Sequence, residues 1–324
     1  MSPLSVRNPQ TRVKHEILGQ YLETWGGIIV NGLRGPYQKR VQGGRASGFA
    51  VKFVYVDCFA SSGRYAESDD SPEWIPGSPL IGIKALDSIR TFAAQSVGFM
   101  PDVYAILFEE NPESYDELIT SLEIADFKER VRNTTDFPSL ESGQIAVVHG
   151  DYRDYVDAVL QFTSTVFTWA FYLLDPYGPR GIEMAIVRRI VSQERTDVMV
   201  NFPYLDLHRK TGSVVTGTPK HQQHLRYWDS VYGDSGWRNL AYKYQKDKDA
   251  DRMETELVRM YADRLQAQDP NLAVKRIPLL FKDRERTIFY LLLTTHDPTG
   301  ALAINEVLYG AKQDELDYRV VVKF

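Results

Sequence analysis

Residues 52–63 read KFVYVDCFASSG. The stretch from Phe53 to Val56 is aromatic and β-branched without polar alternation, the pattern of a strand buried on both faces. Small residues follow it. Small side chains allow a tight turn and let backbone N–H groups come close to a ligand. A buried strand running into such a turn is how an α/β sheet begins a ligand site. A G-x-G-x-x-G fingerprint is absent, so the segment fits a plain turn equally.

Outward from this stretch the same kind of strand recurs at 103–109 (VYAILFE), 145–149 (IAVVH), 166–174 (VFTWAFYLL), 197–202 (DVMVNF), 287–294 (TIFYLLLT) and 318–323 (YRVVVK). Helical segments lie between the earlier strands: 78–89, with Pro79 at its first position, then 112–122, 152–162 and 182–191. Strands alternating with helices imply a parallel sheet covered on both faces. The expected fold is α/β: a doubly wound, Rossmann-like sheet of seven strands, the last pair antiparallel.

Residues 9–30 carry Val13, Ile17, Leu18, Tyr21, Leu22 and Trp25 at helical spacing, with Asn8-Pro9 as cap and first turn. Gly26-Gly27 weakens the far end. From Thr24 to Val56 there is no acidic residue, whereas Arg34, Lys39, Arg40, Arg45 and Lys52 are basic. With Gly35-Pro36 and Gly43-Gly44 this reads as a loop or hairpin, either an arm that grips phosphate or a solvated loop. Residues 203–275 are polar, tyrosine-rich and helical, clearest at 254–265, where Leu257, Met260, Tyr261 and Leu265 share a face. The expected organisation is therefore 1–50 as helix and basic loop, 51–202 with 276–324 as core, and 203–275 as an inserted cap. No internal repeat is visible.

Composition sets bounds. The 324 residues hold 38 basic and 43 acidic side chains, a net charge of −5, with 25% charged and 43% hydrophobic. These are globular values that exclude a disordered or collagen-like chain. The balance also excludes binding to nucleic acid by bulk charge, leaving a local basic patch. One cysteine, Cys58, excludes an internal disulfide and a cysteine-built zinc site, and points to an intracellular, cytoplasmic chain. Residues 1–16 lack the apolar centre of a signal peptide, and no apolar run is long enough for a membrane span.

In a doubly wound sheet, ligands bind beyond the carboxyl ends of the strands. Those ends carry Asp57, Glu109-Glu110-Asn111, Gly150-Asp151-Tyr152, Asp175-Pro176-Tyr177-Gly178 and Asn201-Phe202-Pro203-Tyr204. Glu109 can accept from ribose hydroxyls, or simply favour the start of the helix at Pro112. Asp151 can accept from an adenine amine or cap the helix that follows. Asp175 ends the apolar run 169–174. A carboxylate there is costly to bury without a partner or a role. Pro176 and Gly178 fix a turn that holds a carboxylate, a carbonyl and the Tyr177 ring together, where a planar amine could be placed. The same residues also suit an ordinary strand-to-helix turn.

Together these segments resemble the class I S-adenosylmethionine-dependent methyltransferases. Residues 57–63 (DCFASSG) resemble the D-x-F-A-G-x-G loop of the amino-methylating branch, and residues 175–178 (DPYG) its D-P-P-Y or D-P-F-G motif. More closely the chain resembles the three-Cys-motif partner proteins, a bacterial family. The resemblance runs through Lys14-His15 with Tyr21 and Trp25, residues 56–65 (VDCFASSGRY) and Gly77-Ser78-Pro79-Leu80. It continues through Phe108-Glu109-Glu110-Asn111, residues 174–181 (LDPYGPRG), 201–209 (NFPYLDLHR) and 290–309 with Thr294-Thr295-His296. It implies a site for S-adenosylmethionine formed by Asp57, Phe59, Ala60, Ser61, Gly63, Glu109, Asp151 and Tyr152. It further implies a reacting amine held at Asp175, Pro176, Tyr177 and Gly178, and a partner protein with a three-cysteine motif. Ser61 stands where the family loop has glycine. The acidic stretch with Glu67, Asp69, Asp70 and Glu73 reads as a lid or as the mark of a decayed cofactor site.

Two function classes follow. One is a methyltransferase acting on an exocyclic amine of a nucleic-acid base, DNA or RNA, in a phage-defence or mobile-element setting. Its substrate contacts are expected at Arg40 and Arg45, and at Tyr204, Arg209 and Lys210 within a second basic and aromatic stretch that includes Lys220, His221, His224, Arg226, Tyr227 and Trp228. The other is a non-catalytic scaffold of the same fold that binds the three-Cys-motif protein. A nucleotide-binding enzyme of another type is a weaker third. His221-x-x-His224 lacks further ligands nearby, so no metal is expected.

Overall fold

A computed structural model of the chain describes residues 4–45, 48–68, 73–216, 219–267, 269–281, 287–313 and 318–320. The chain forms two units: Met1–Leu173 with Leu302–Asp314, and Leu174–Ala301 with Glu315–Phe324.

The first unit opens with α1 (Pro9–Gln42). The Asn8 side chain accepts from the Thr11 N–H at 2.8 Å and Pro9 occupies the first turn, a favourable helix start. The apolar spacing predicts a helix at 9–30 and a loop after it; the helix instead runs on to Gln42. The reason is that its apparent breakers are used otherwise. A Cβ on Gly26 would lie 2.2 Å from the Ile89 side chain of α2 (Ser78–Ser96), so this glycine permits close helix approach. Pro36 is carried inside the helix, in a stretch past the last buried residue, Leu33.

Next come β1 (Lys52–Asp57) and a hairpin of β2 (Arg64–Ala66) with β3 (Trp74–Pro76). After α2 follow β4 (Asp102–Glu109), α3 (Pro112–Ile124), β5 (Val131–Arg132), β6 (Ile145–His149), α4 (Tyr152–Thr163) and β7 (Thr168–Leu174). The strands β7, β1, β4, β6 and β5 pair in that order and in parallel. Both faces are covered, as expected. Tyr21 and Trp25 of α1 pack on Phe171 and Phe53, and Gly82 of α2 lies against Tyr55. On the other face Phe162 of α4 meets Tyr104, and its Thr163 bonds Tyr172. Successive strands lie to one side of β1 while β7 lies to the other. That makes the carboxyl end of β1 a topological switch point.

The second unit holds α5 (Met184–Val191), β8 (Thr196–Phe202), α6 (Tyr204–Thr216), α7 (Pro219–Tyr232), α8 (Trp237–Asp247) and α9 (Ala250–Gln266). Then come β9 (Ala273–Phe281), β10 (Thr287–Thr295), α10 (Pro298–Gln313) and β11 (Tyr318–Val320); α10 begins here and the rest of it is counted with the first unit. Its strands pair antiparallel in the order β8, β10, β9, β11. The sheet strands therefore exceed the seven expected, and antiparallel pairing reaches beyond a closing pair. The strands missed are β9, the two-residue β5 and the short hairpin strands β2 and β3. Lys275, Arg276 and Pro278 mask β9, since charge and proline interrupt the apolar run expected of a strand. Phe202, Trp228, Tyr232, Trp237 and Tyr261 form this unit's aromatic core. No described helix is long and apolar enough to cross a membrane.

Candidate functional site

At the switch point Asp57 is fully buried. Its carboxylate accepts from the Tyr55 hydroxyl at 3.0 Å and from the Phe59 N–H at 3.2 Å, so it braces the start of the small-residue turn. The Ala60 N–H donates to the Phe108 carbonyl at 2.8 Å. Ser61 has φ of 52° and Gly63 φ of 75°. The first is an uncommon backbone for serine and the second the usual province of glycine. A Cβ on Gly63 would lie 2.8 Å from Leu118 and 3.2 Å from Ser121, both on α3.

Glu109 ends β4 beside this turn. One carboxylate oxygen accepts the Ser61 N–H at 2.7 Å, the other the Asn111 N–H at 2.8 Å. The side chain is thus held by backbone and half-buried, with further lone pairs to offer. A carboxylate so oriented, beside a turn of small residues, fits the ribose diol of a nucleoside. Asp151 is the N-cap of α4, accepting the Arg153 N–H at 3.0 Å, and its carboxylate is gripped by the Arg153 guanidinium at 2.5 Å. Tyr152 is buried, edge-on to Phe59 with ring centres 5.5 Å apart, so its ring serves the core. Burial pushes the Cys58 thiol well above its usual pKa, and the charges of Asp57 and Asp151 push the same way.

Sequence reasoning missed the braces from α3. The Ser121 hydroxyl donates to the Ser62 carbonyl at 2.6 Å, and Arg64 pairs with Glu117 at 2.6 Å. The Arg64 side chain is only 9% exposed. A serine facing inward on α3 beside Leu118 and Leu122 was the available signal.

In the second unit Asp175 is partly buried, and its Oδ1 accepts from Asn201 Nδ2 at 2.7 Å. Pro176 is buried and Tyr177 fully exposed. A Cβ on Gly178 would meet nothing within 4 Å, so sterics do not demand that glycine. Asn201 is only 8% exposed, and its Oδ1 meets no donor among the described residues. A buried acceptor left so costs about 1–3 kcal/mol. Tyr204 is buried too, its ring 6.1 Å from that of Tyr290. Tyr290 in turn donates to Glu254 at 2.5 Å, as does Thr287 at 2.6 Å. Burial, then the Glu254 contact, holds the Tyr290 hydroxyl far above the ordinary tyrosine range. Arg209 is exposed on α6, with Lys210 half-buried next to it.

Arg40 and Arg45 are not brought to the turn. The last turns of α1 lie against Phe49 and Phe99, which precede β1 and β4, and Phe49 in turn meets Phe167, which precedes β7: Tyr37 stands 5.2 Å from Phe49 and 5.5 Å from Phe99, and Arg40 lies 5.6 Å over Phe49. That is the amino end of the strands, about 20 Å from Gly63 at ~3.3 Å per residue of β1. Asp69, Asp70 and the His221 side chain lie outside the described residues.

No protein-family model matches the chain, and no curated protein matches it by sequence. Among solved structures it is similar to a Legionella pneumophila protein described under the family model DUF519, with 13% identity, 94% of this chain and 95% of that one covered, and a TM-score of 0.49. It is similar to an O-methyltransferase from Bacillus cereus in complex with SAH, with 10% identity, 87% and 80% covered, and a TM-score of 0.39. A loganic acid methyltransferase with SAH shares 9% identity over 94% and 84%, with a TM-score of 0.30.

Proposed function

We propose that the chain is an S-adenosylmethionine-dependent methyltransferase acting on an exocyclic amine of a nucleic-acid base. The observation that carries this is Glu109, oriented by two backbone N–H groups at the end of β4 and bonded to the turn that follows β1. The methyl donor supplies an electrophilic carbon on a positively charged sulfur. The chain's part is alignment, which is worth ~7–11 kcal/mol in a well-oriented reaction. In the first unit residues 60–63 and Glu109 would hold the nucleoside end of the donor; in the second, Asp175 would accept one hydrogen of the target amine and so orient its nitrogen lone pair. The donor, when bound, would supply the methyl group with its C–S bond as the bond to be broken, and the surplus proton would pass from the amine nitrogen to water. Arg209 and Lys210 offer charge to the phosphate backbone.

The test is transfer of a tritiated methyl group to deproteinised cellular RNA and genomic DNA, with calorimetry of S-adenosylmethionine in parallel. Asp175→Ala is expected to lose about a hundredfold in rate while holding the donor as wild type does. Wild-type transfer by the folded variant removes Asp175 from the reaction.

A second reading keeps the fold as a scaffold for a three-Cys-motif protein. It is favoured by the same Glu109 geometry, since a carboxylate already bonded to Ser61 and Asn111 serves the fold without any ligand. Absence of S-adenosylmethionine binding by calorimetry selects it.

A further inference from the structure

We propose that the amino end of the strands in the first unit is a docking surface for an acidic, apolar segment of a partner protein. The surface is built from the end of α1 and the loops before β1, β4 and β7, and it does not depend on the methyl-transfer reading. α1 runs alongside α2, with Gly19 beside Ile81 and Gly26 beside Ile89, and then outlasts it. The Tyr37 hydroxyl donates to the Gly98 carbonyl at 2.8 Å, just past the end of α2. Beyond that bond residues 38–42 are all exposed. Packing of Tyr37 on Phe49 and Phe99 pins this helix end to the body, so the side chains it presents are held in place.

Two kinds of side chain meet here. Val41 is exposed one turn on from Tyr37 and on the same helix face, as are Met100 next to Phe99 and Val166 next to Phe167. Val166 is 74% exposed and Met100 60%, and the Phe167 ring, which meets Phe49, is exposed as well. Apolar side chains gathered in this way mark an interaction site, whereas scattered ones do not. Phe167 has φ of 60°, uncommon for so bulky a residue, and its carbonyl is tied to the Lys52 N–H at 2.9 Å. Strained backbone held by its surroundings collects at functional sites. The same helix end carries Arg34, Lys39 and Arg40, with Arg45 just after it. No carboxylate pairs with any of the four among the described residues; Arg40 meets the Phe49 ring and the Gly48 carbonyl. In a chain of net charge −5 this is a local excess of positive charge.

The occupant follows from that pairing. A segment in which leucine or phenylalanine alternates with aspartate or glutamate buries the apolar tips and neutralises the cations around them. A second copy meeting the same patch would set cation against cation. Unpaired nucleic acid binds by stacking on open aromatic faces. Here Phe99 is buried with Phe49 edge-on to it at 80°, and most of what is offered is aliphatic.

The experiment follows the fluorescence anisotropy of a labelled amphipathic peptide, with Leu and Phe on one face and Glu and Asp on the other, as the full chain is added at physiological salt. The other probes are the same peptide with Gln and Asn for its acids, an oligouridylate, and phosphatidylserine vesicles. The acidic peptide is expected to bind, and its amide form to bind about tenfold more weakly. Arg40→Glu with Arg45→Glu, and separately Met100→Gln with Val166→Gln, should each cost about tenfold in affinity at an unchanged melting temperature. The second pair is so exposed that its replacement spares the core, which keeps the test decisive if the charge reversals impair folding. No binding of the acidic peptide overturns the proposal, as does binding that the folded Met100→Gln/Val166→Gln variant retains in full. Oligouridylate or vesicles bound more tightly than the peptide, and released by the same substitutions, make the partner a nucleic acid or a membrane and overturn it too.

Discussion

The Ser61 N–H donates to the Glu109 carboxylate at 2.7 Å across 48 positions of sequence. Through it the turn after β1 and the end of β4 form one rigid corner, and the left-handed backbone of Ser61 is held by a charged acceptor. A serine is thereby accommodated at a left-handed position: its N–H, rather than its side chain, meets the Glu109 carboxylate.

Glu109→Ala should both weaken S-adenosylmethionine binding and lower the melting temperature. Two backbone donors are deprived of a charged acceptor, and such bonds contribute ~1.5–3 kcal/mol. On binding, the same range is about ten- to a hundredfold in affinity. Calorimetry and scanning of the one variant measure both; unchanged affinity in a folded protein would exclude Glu109 from the donor site.

Gly26 and Gly27 should respond in opposite directions to alanine. At Gly26 the new methyl group meets Ile89 at 2.2 Å, whereas at Gly27 nothing lies within 4 Å. Overpacking costs ~1–3 kcal/mol, and an unobstructed Gly→Ala in a helix gains ~0.5–1 kcal/mol. Denaturant midpoints of the two variants decide it, and equal midpoints would contradict the close packing of α1 on α2.

Removing the acid from the Arg64–Glu117 pair should leave a buried guanidinium uncompensated. With side chains 9% and 22% exposed, Glu117→Ala is expected to cost about 3 kcal/mol. The effect should persist in high salt, because a pair withdrawn from solvent is weakly screened. An effect that vanishes in salt would make the pair a surface interaction.

Charge reversal should separate the two basic stretches. Arg40→Glu with Arg45→Glu is expected to leave donor affinity unchanged, since both lie at the amino end of the strands. Arg209→Glu with Lys210→Glu is expected to lower the slope of log K on log salt for RNA by about 0.7–0.9 for each phosphate no longer neutralised. An unchanged slope in the second pair would take α6 out of the nucleic-acid surface.

The long strands of the first unit were legible because burial on both faces leaves an uninterrupted apolar run, as at Phe53–Val56 and 169–174, whereas β2, β3 and β5 are too short to show one. The extent of α1 was not, since a glycine that admits Ile89 looks like a glycine that breaks a helix. β9 was hidden for the opposite reason: Lys275, Arg276 and Pro278 interrupt its apolar run. At the site, sequence placed the carboxylates at the strand ends but not what holds them. Glu109 is held from Ser61, Arg64 by Glu117, and Asp175 by Asn201, partners 48, 53 and 26 residues apart, and no local spacing announces such pairs.

Cys58 sits where β1 passes into the turn, 3% exposed, its N–H bonded to the Leu173 carbonyl at 3.0 Å and its thiol held protonated by burial. Alkylating reagents need a thiolate they can reach. The chain's only sulfhydryl is therefore silent until this corner opens, and the pace of its labelling by a maleimide counts those openings. The natural sequence thus contains its own kinetic probe: a ligand that closes the corner slows the label, and one that binds elsewhere leaves its clock running.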